Sequence, residues 1–168
     1  MTKEQIFKHL FEIAKTSKDP EGVAVACLVK NGEIIISSPS SDDGIYHAEY
    51  LVLQEAKERG INIDESFTLY TTLEPCSDLP AVNDGVDCTT CIIEAGIKDV
   101  VFAANDPEYS KAAEKRLKEA GINYRQIEDQ EIIKRSADLF NSTIRTDLSK
   151  MKLPRKEKLS LNECEELP

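Results

Sequence analysis

Tryptophan is absent, and the remaining aromatics are five tyrosines and five phenylalanines. Positive charge is scarce as well: 21 Lys and Arg stand against 31 Asp and Glu, for a formal net charge of −10. A chain this poor in stacking rings and basic groups is ill suited to wrapping a nucleic acid, whose binding comes from neutralised phosphates and stacked bases. A small anionic ligand in a local pocket stays compatible with that balance. No stretch approaches the ~20 apolar residues that a membrane helix needs. Met1-Thr2-Lys3-Glu4-Gln5 has no apolar signal-peptide core, so the expectation is a cytoplasmic protein without a membrane partner. Cysteine occurs five times, at 27, 76, 88, 91 and 164. An odd count without a secretion signal fits thiols or metal ligands better than a disulfide framework.

What is present is regular alternation. Ile6, Phe7, Leu10, Phe11, Ile13 and Ala14 recur at helical spacing, which predicts an amphipathic helix over 2–16, with His9 off the apolar stripe as a solvated residue. Gly22 to Val29 is a continuous apolar run, the mark of a strand buried on both faces. Asn31-Gly32 follows and then Glu33 to Ser38, so 23–38 reads as a hairpin. A helix over 47–59 stops at Gly60, and Phe67 to Leu73 is a third strand. A loop carrying Pro75, Pro80, Asn83, Asp84 and Gly85 leads to a short helix over 89–95. Strand 100–104, helix 108–120, strand 122–126 and a last helix over 129–148 complete the pattern. A hairpin followed by helix–strand alternation implies an α/β domain, a three-layer α/β/α sandwich around a mixed five-stranded sheet. That domain spans 1–148. Residues 149–168 read as a charged, solvated C-terminal tail that includes Cys164.

Three short stretches carry chemistry. His47-Ala48-Glu49 opens the second helix, Thr72-Leu73-Glu74-Pro75-Cys76 ends the third strand, and Asp87-Cys88-Thr89-Thr90-Cys91 opens the third helix. Catalytic zinc takes three protein ligands and leaves a fourth position for water. One His and two Cys on these elements supply such a set, and helix N-termini favour thiolate, the form that binds metal. Zinc makes hydroxide available at neutral pH. A carboxylate two residues from a ligand, on the first turn of the same helix, can then carry protons without binding the metal. Glu49 has that place. The order of these residues is that of the zinc deaminase signature, His-x-Glu followed by Pro-Cys-x-x-Cys, with a longer gap here between Cys76 and Cys88.

His47-Ala48-Glu49, Glu74-Pro75-Cys76 and Cys88 before Ile92-Ile93-Glu94-Ala95-Gly96-Ile97 resemble the cytidine-deaminase-like zinc hydrolases over residues 22–126. Within that superfamily the chain is most similar to the pyrimidine deaminase domain of riboflavin biosynthesis. The likeness rests on Val29-Lys30-Asn31-Gly32-Glu33-Ile34-Ile35, Gly44-Ile45-Tyr46-His47-Ala48-Glu49, Asn105-Asp106-Pro107 and Glu119-Ala120-Gly121-Ile122. The resemblance implies a cytidine deaminase-like fold with the fourth and fifth strands parallel, and Zn2+ held by His47, Cys76 and Cys88. It implies hydrolytic deamination of a small aminopyrimidine of the ribosylaminopyrimidine phosphate type, with release of ammonia. Glu49 would move the protons, and the backbones of Ala48 and Cys76 would orient the substrate. Glu74 is expected to be structural or to support a neighbouring group. Deaminases of this superfamily are often dimers or tetramers, so a homo-oligomer is expected, and the 129–148 helix has an apolar face for it.

The chain also departs from that pattern. Glu21-Gly22 stands where the family places Asn-Pro, and the loop after Cys76 is longer and lacks the family's histidines. The chain ends where the reductase domain of the bifunctional enzyme would begin. These differences keep alternatives open: another base, nucleoside or nucleotide such as cytidine or dCMP, with a polynucleotide less favoured. Counting back from Ile92-Ile93-Glu94-Ala95-Gly96 puts the family ligand on Cys88 and a small apolar residue at 91. Should Cys88 and Cys91 both bind, four protein ligands would close the site and make it a zinc-stabilised interaction domain. Cys27, inside its apolar strand, reads as a small buried hydrophobe.

Overall fold

A computed structural model describes residues 1–19, 22–79, 82–107 and 111–144. Five strands, β1 (Val25–Lys30), β2 (Glu33–Pro39), β3 (Phe67–Leu73), β4 (Asp99–Ala104) and β5 (Asn123–Gln126), form one sheet in the order β2-β1-β3-β4-β5. β1 is antiparallel to both β2 and β3, whereas β3, β4 and β5 run parallel, so the sheet is mixed. The hairpin turns at Asn31 (φ 50°) and Gly32 (φ 78°), two residues that accept left-handed backbone and match the twist of the strands.

Two layers of helix cover the sheet. α1 (Lys3–Ala14) starts on a reciprocal cap: the Thr2 hydroxyl accepts from Gln5 N–H at 3.3 Å, and the Gln5 side chain accepts from Thr2 N–H at 2.8 Å. Its buried stripe of Ile6, Phe7, Leu10 and Phe11 lies with α5 (Gln130–Ile144) against Val25, Cys27, Val29, Tyr70 and Val101. On the opposite face α2 (Ala48–Glu58), α3 (Cys88–Glu94) and α4 (Glu114–Glu119) bury Val52, Ile92 and Leu117 against Leu28, Leu69 and Val100. The alternation of β1 explains both contacts, because successive side chains of a strand point to opposite faces. Each fully buried aliphatic or aromatic side chain contributes about 1.5–3 kcal/mol of transfer free energy, so the two clusters hold the layers together. The result is the three-layer α/β/α sandwich.

One expectation changes at the edges. Among the described residues the fourth helix is regular only from Glu114. Residues 108–110 lie outside the described residues, and Lys111 adopts φ 66°, which no helix continues through. Its N–H is taken by the Glu74 carboxylate at 2.7 Å, so a tertiary contact outcompetes the first helical turn. The last helix is described to Ile144, and its expected end at 148, the tail 149–168 and Cys164 lie outside the described residues. Among the described residues no helix is long and apolar enough to cross a membrane.

Candidate metal centre and active site

β3 delivers its chain end to the site, and α2 and α3 begin there, so the site lies at the carboxyl end of a parallel strand, where open α/β sheets place ligands. His47 is the residue that precedes the first turn of α2, in extended conformation (φ −76°, ψ 154°), with its ring free of any capping duty. Cys88 is the first residue of α3. Asp87 caps that helix, its carboxylate accepting from Thr90 N–H at 2.7 Å. Cys76 lies three residues beyond the end of β3, and its carbonyl accepts from Thr89 N–H at 3.1 Å and from the Thr89 hydroxyl at 2.8 Å. The loop and the helix start are thereby sewn together.

The donor atoms of His47, Cys76 and Cys88 all lie within 4.8 Å of one another, and Cys76 and Cys88 are buried. His47 Nδ1 is 3.4 Å from Cys88 Sγ. Zinc bonds of about 2.0–2.3 Å in a tetrahedron require edges of roughly 3.3–3.8 Å between donors, so this set of one imidazole and two thiols fits that metal. The two thiols share their polarity unequally. Cys76 Sγ accepts from the backbone N–H of Cys88 at 3.3 Å. The Cys88 side chain and the His47 ring also stabilise its anion, which outweighs burial and holds the Cys76 thiol well below the usual range. Cys88 is pushed up by its burial and by the neighbouring Cys76 sulfur.

Glu49 lies against this cluster without belonging to it. It is buried, its Oε2 is 3.7 Å from Cys88 Sγ, and burial raises the carboxyl above its ordinary value. Its Oε1 is 3.3 Å from the hydroxyl of Thr71, which also reaches the Leu73 carbonyl at 2.9 Å. An ionised Glu49 accepts from that hydroxyl; a protonated one donates to it while Thr71 donates to Leu73. Both proton states of Glu49 therefore have a partner. Ala48, one residue on from His47, is the first residue of α2.

The other expected residues separate. Glu74 is buried but faces away, accepting from Asp106 N–H at 3.3 Å, Lys111 N–H at 2.7 Å and the Tyr124 hydroxyl at 3.2 Å. Its carboxylate ties the backbone of Asp106 and of Lys111 to the end of β3. Cys91 is one turn beyond Cys88, packs at the margin of the core, and is not among the residues whose ligand atoms converge. Burial pushes its thiol up to about 11. Cys27 is fully buried in β1 and pushed up to about 12. Among the described residues no fourth protein ligand closes the cluster.

Three participants escaped the sequence reading. Asn83 is buried in the 77–87 loop and accepts from His47 N–H at 2.7 Å. Asp84 accepts from the hydroxyls of Tyr46 at 2.8 Å and Tyr50 at 2.9 Å. Thr71 has the contacts given above. The run Asn83-Asp84-Gly85, rich in residues that tolerate left-handed backbone, was the available signal. Glu21 lies outside the described residues, but its neighbour explains part of the departure there. Gly22 has φ 118°, and a Cβ on it would come within 2.6 Å of the Phe140 ring. Neither the φ nor the space admits the proline that the related pattern has.

A three-layer sandwich with His and Cys donors at two helix starts and a carboxylate beside them defines the zinc-deaminase class of sites. The family model of the cytidine and deoxycytidylate deaminase zinc-binding region matches residues 1–104, and the chain belongs to that family. The riboflavin biosynthesis protein RibD of Corynebacterium ammoniagenes is 34% identical over 122 residues, covering 72% of this chain and 34% of that protein. The tRNA-specific adenosine deaminase of Bacillus subtilis is 35% identical over 115 residues, covering 64% of this chain and 66% of that protein. Among solved structures, the diaminohydroxyphosphoribosylaminopyrimidine deaminase/5-amino-6-(5-phosphoribosylamino)uracil reductase of Thermotoga maritima superposes with a TM-score of 0.69 at 29% identity, covering 88% of this chain and 41% of that one. The chain thus spans about a third of the length of the RibD protein it matches.

Proposed function

We propose that this chain is a zinc-dependent hydrolytic deaminase of an aminopyrimidine, of the riboflavin-pathway ribosylaminopyrimidine phosphate type. The observation that carries the reading is the convergence of His47, Cys76 and Cys88 within 4.8 Å, with the buried Glu49 carboxylate beside them and outside the donor set. Zinc held there would polarise a water for attack on the amino-bearing carbon. The chain's own residues account for the protons. Glu49 takes one from the attacking water, passes it to the ring nitrogen, and later delivers one to the amino group, so that water and amine become carbonyl and ammonia. Its burial raises the carboxyl above its ordinary value, which makes it a better acceptor for the proton of the water. Thr71 holds the carboxyl in place throughout. The backbones of Ala48 and Cys76 orient the pyrimidine.

A second substrate reading, another base, nucleoside or nucleotide, is supported by the altered 77–87 loop, while the 35% identity to a tRNA-specific adenosine deaminase bears on the polynucleotide branch. The net charge of −10 weighs against a polynucleotide. A homo-oligomer is part of the proposal. So is a cytoplasmic setting, which would keep the two ligand thiols reduced. The deciding experiment measures metal content and ammonia release on a panel: the riboflavin precursor, cytosine, cytidine, dCMP, adenosine and single-stranded DNA. Wild type and Glu49→Ala are compared. About one zinc per chain with Glu49-dependent ammonia from the riboflavin precursor is expected. Zinc without ammonia from any substrate would overturn the catalytic reading, and no zinc in protein prepared without chelators would overturn the metal site.

A further inference from the structure

The Asn83–Gly85 turn reaches both helices that carry metal donors. Asn83 (φ 49°), Asp84 (φ 58°) and Gly85 (φ 90°) are all left-handed, a conformation that these three residue types accept at least cost. Asn83 is fully buried. Its N–H donates to the Ile45 carbonyl at 3.1 Å, its Oδ1 accepts from His47 N–H at 2.7 Å, and its Nδ2 donates to Cys88 Sγ at 3.4 Å. One amide group therefore spans two of the three donor residues. The turn is pressed onto α2 by Asp84, which accepts from Tyr46 and Tyr50, whose rings stack 5.7 Å apart.

We propose that Asn83 is a positioning residue for the metal: its amide orients the Cys88 thiolate, tempers its donor strength, and locks the start of α2 in the same stroke. The proposal rests on the reading of His47, Cys76 and Cys88 as zinc ligands. An N–H pointing at a thiolate draws electron density from sulfur, so the sulfur gives less to the metal and the metal stays more acidic. Partners of this kind, one step out from the ligands, govern both ligand geometry and metal affinity. An amide suits this position chemically because it offers an acceptor to His47 N–H and a donor to Cys88 without adding charge. A carboxylate would offer two acceptors, and an apolar side chain neither role.

The test uses Co2+ as a spectroscopic stand-in for zinc in the full chain, comparing wild type with Asn83→Asp and Asn83→Gly. Asn83→Gly keeps the left-handed turn and removes the side chain; Asn83→Asp keeps the acceptor for His47 and loses the donor to Cys88. In wild type, one Co2+ per chain with a sulfur-to-cobalt charge-transfer band is expected. In both variants the band should move to lower energy, and zinc affinity, measured against a competing chelator, should fall about 10–100-fold. An unmoved band in Asn83→Asp overturns the proposal, even where affinity falls, because a mere loop anchor would lower affinity without altering the sulfur. A wild-type chain that binds no Co2+, or binds it without a thiolate band, overturns the zinc reading itself and this inference with it.

Discussion

Arg116, in α4, and Asp87, the cap of α3, form an ion pair at 2.8 Å that closes the 77–87 loop from outside. The same guanidinium donates to the Ser77 hydroxyl at 2.7 Å and to the Thr90 hydroxyl at 2.6 Å. Asp87 in turn accepts from the N–H groups of Thr90 at 2.7 Å and Asp78 at 2.8 Å. The segment from Cys76 to Cys88 is thereby tied at both ends by one charge pair. Asp87→Ala removes a helix cap worth about 1 kcal/mol and a charge-assisted hydrogen bond worth about 1.5–3 kcal/mol, reduced here because Arg116 is partly exposed. A loss of about 2 kcal/mol is expected from denaturant unfolding of the metal-free chain, and weaker metal retention should accompany it. A loss under half of that would show the pair to be ornamental.

The same carboxylate makes a prediction about pH. Burial acts to raise Asp87, but the Thr90 and Asp78 N–H groups and Arg116 outweigh it and hold the carboxyl below its ordinary value. A depressed acid binds fewer protons folded than unfolded, so its stabilisation is complete above the unfolded value of about 3.9 and is lost as pH falls through the folded one. Metal-free wild type should therefore lose stability more steeply than Asp87→Asn on going from pH 6 to below about pH 3.9. Equal slopes in urea melts across that range would contradict the assignment.

Glu49 offers the cleanest separation of catalysis from folding. Glu49→Gln preserves shape and the Thr71 contact but cannot exchange a proton, so turnover should fall by about 10²–10⁴. Because the native carboxyl is buried and its acidity is opposed by that burial, removing the charge should leave stability unchanged or raise it. Ammonia release, bound metal and the unfolding midpoint check the three parts together. A variant that loses metal along with activity would place Glu49 among the ligands instead.

What the sequence made legible was whatever depended on local pattern. Asn31-Gly32 marked the hairpin, the apolar run from Val23 marked a strand covered on both faces, and His47, Cys76 and Cys88 were each placed at an element end. Local pattern failed where a distant group competed for the backbone. Nothing near Lys111 shows that Glu74, from the end of β3, takes its N–H and delays α4. Asn83 and Thr71 escaped for a related reason. Asn and Thr are common loop and strand residues, and their importance here comes only from folding that sets residue 83 against 47 and residue 71 against 49.

Gly22→Ala tests a departure that lies away from the chemistry. At φ 118° an alanine is strained, and its Cβ would meet the Phe140 ring at 2.6 Å and the Phe140 carbonyl at 2.8 Å. Overpacking of this kind costs about 1–3 kcal/mol, and the backbone strain adds of order 1 kcal/mol. A destabilisation of about 2–4 kcal/mol is expected from urea melts. In a double-mutant cycle with Phe140→Ala, Gly22→Ala should cost less than in wild type by the ring clash alone, because the carbonyl clash and the backbone strain remain.

Substitution of the two thiols of α3 tests which sulfur holds the metal. Cys88 Sγ lies 3.4 Å from His47 Nδ1, whereas Cys91 faces the margin of the core and joins no donor group among the described residues. Cys88→Ser replaces a soft thiolate by a hydroxyl that stays protonated at neutral pH, so zinc should be lost and ammonia release with it. Cys91→Ser changes only a half-buried contact; metal content should hold near one per chain and turnover should stay within about twofold, as for substitutions away from such features. The comparison is decisive because the two variants make the same chemical change one helical turn apart. If Cys91→Ser also emptied the site, the metal would have four protein ligands and no open position, and the chain would be a zinc-stabilised module without catalysis.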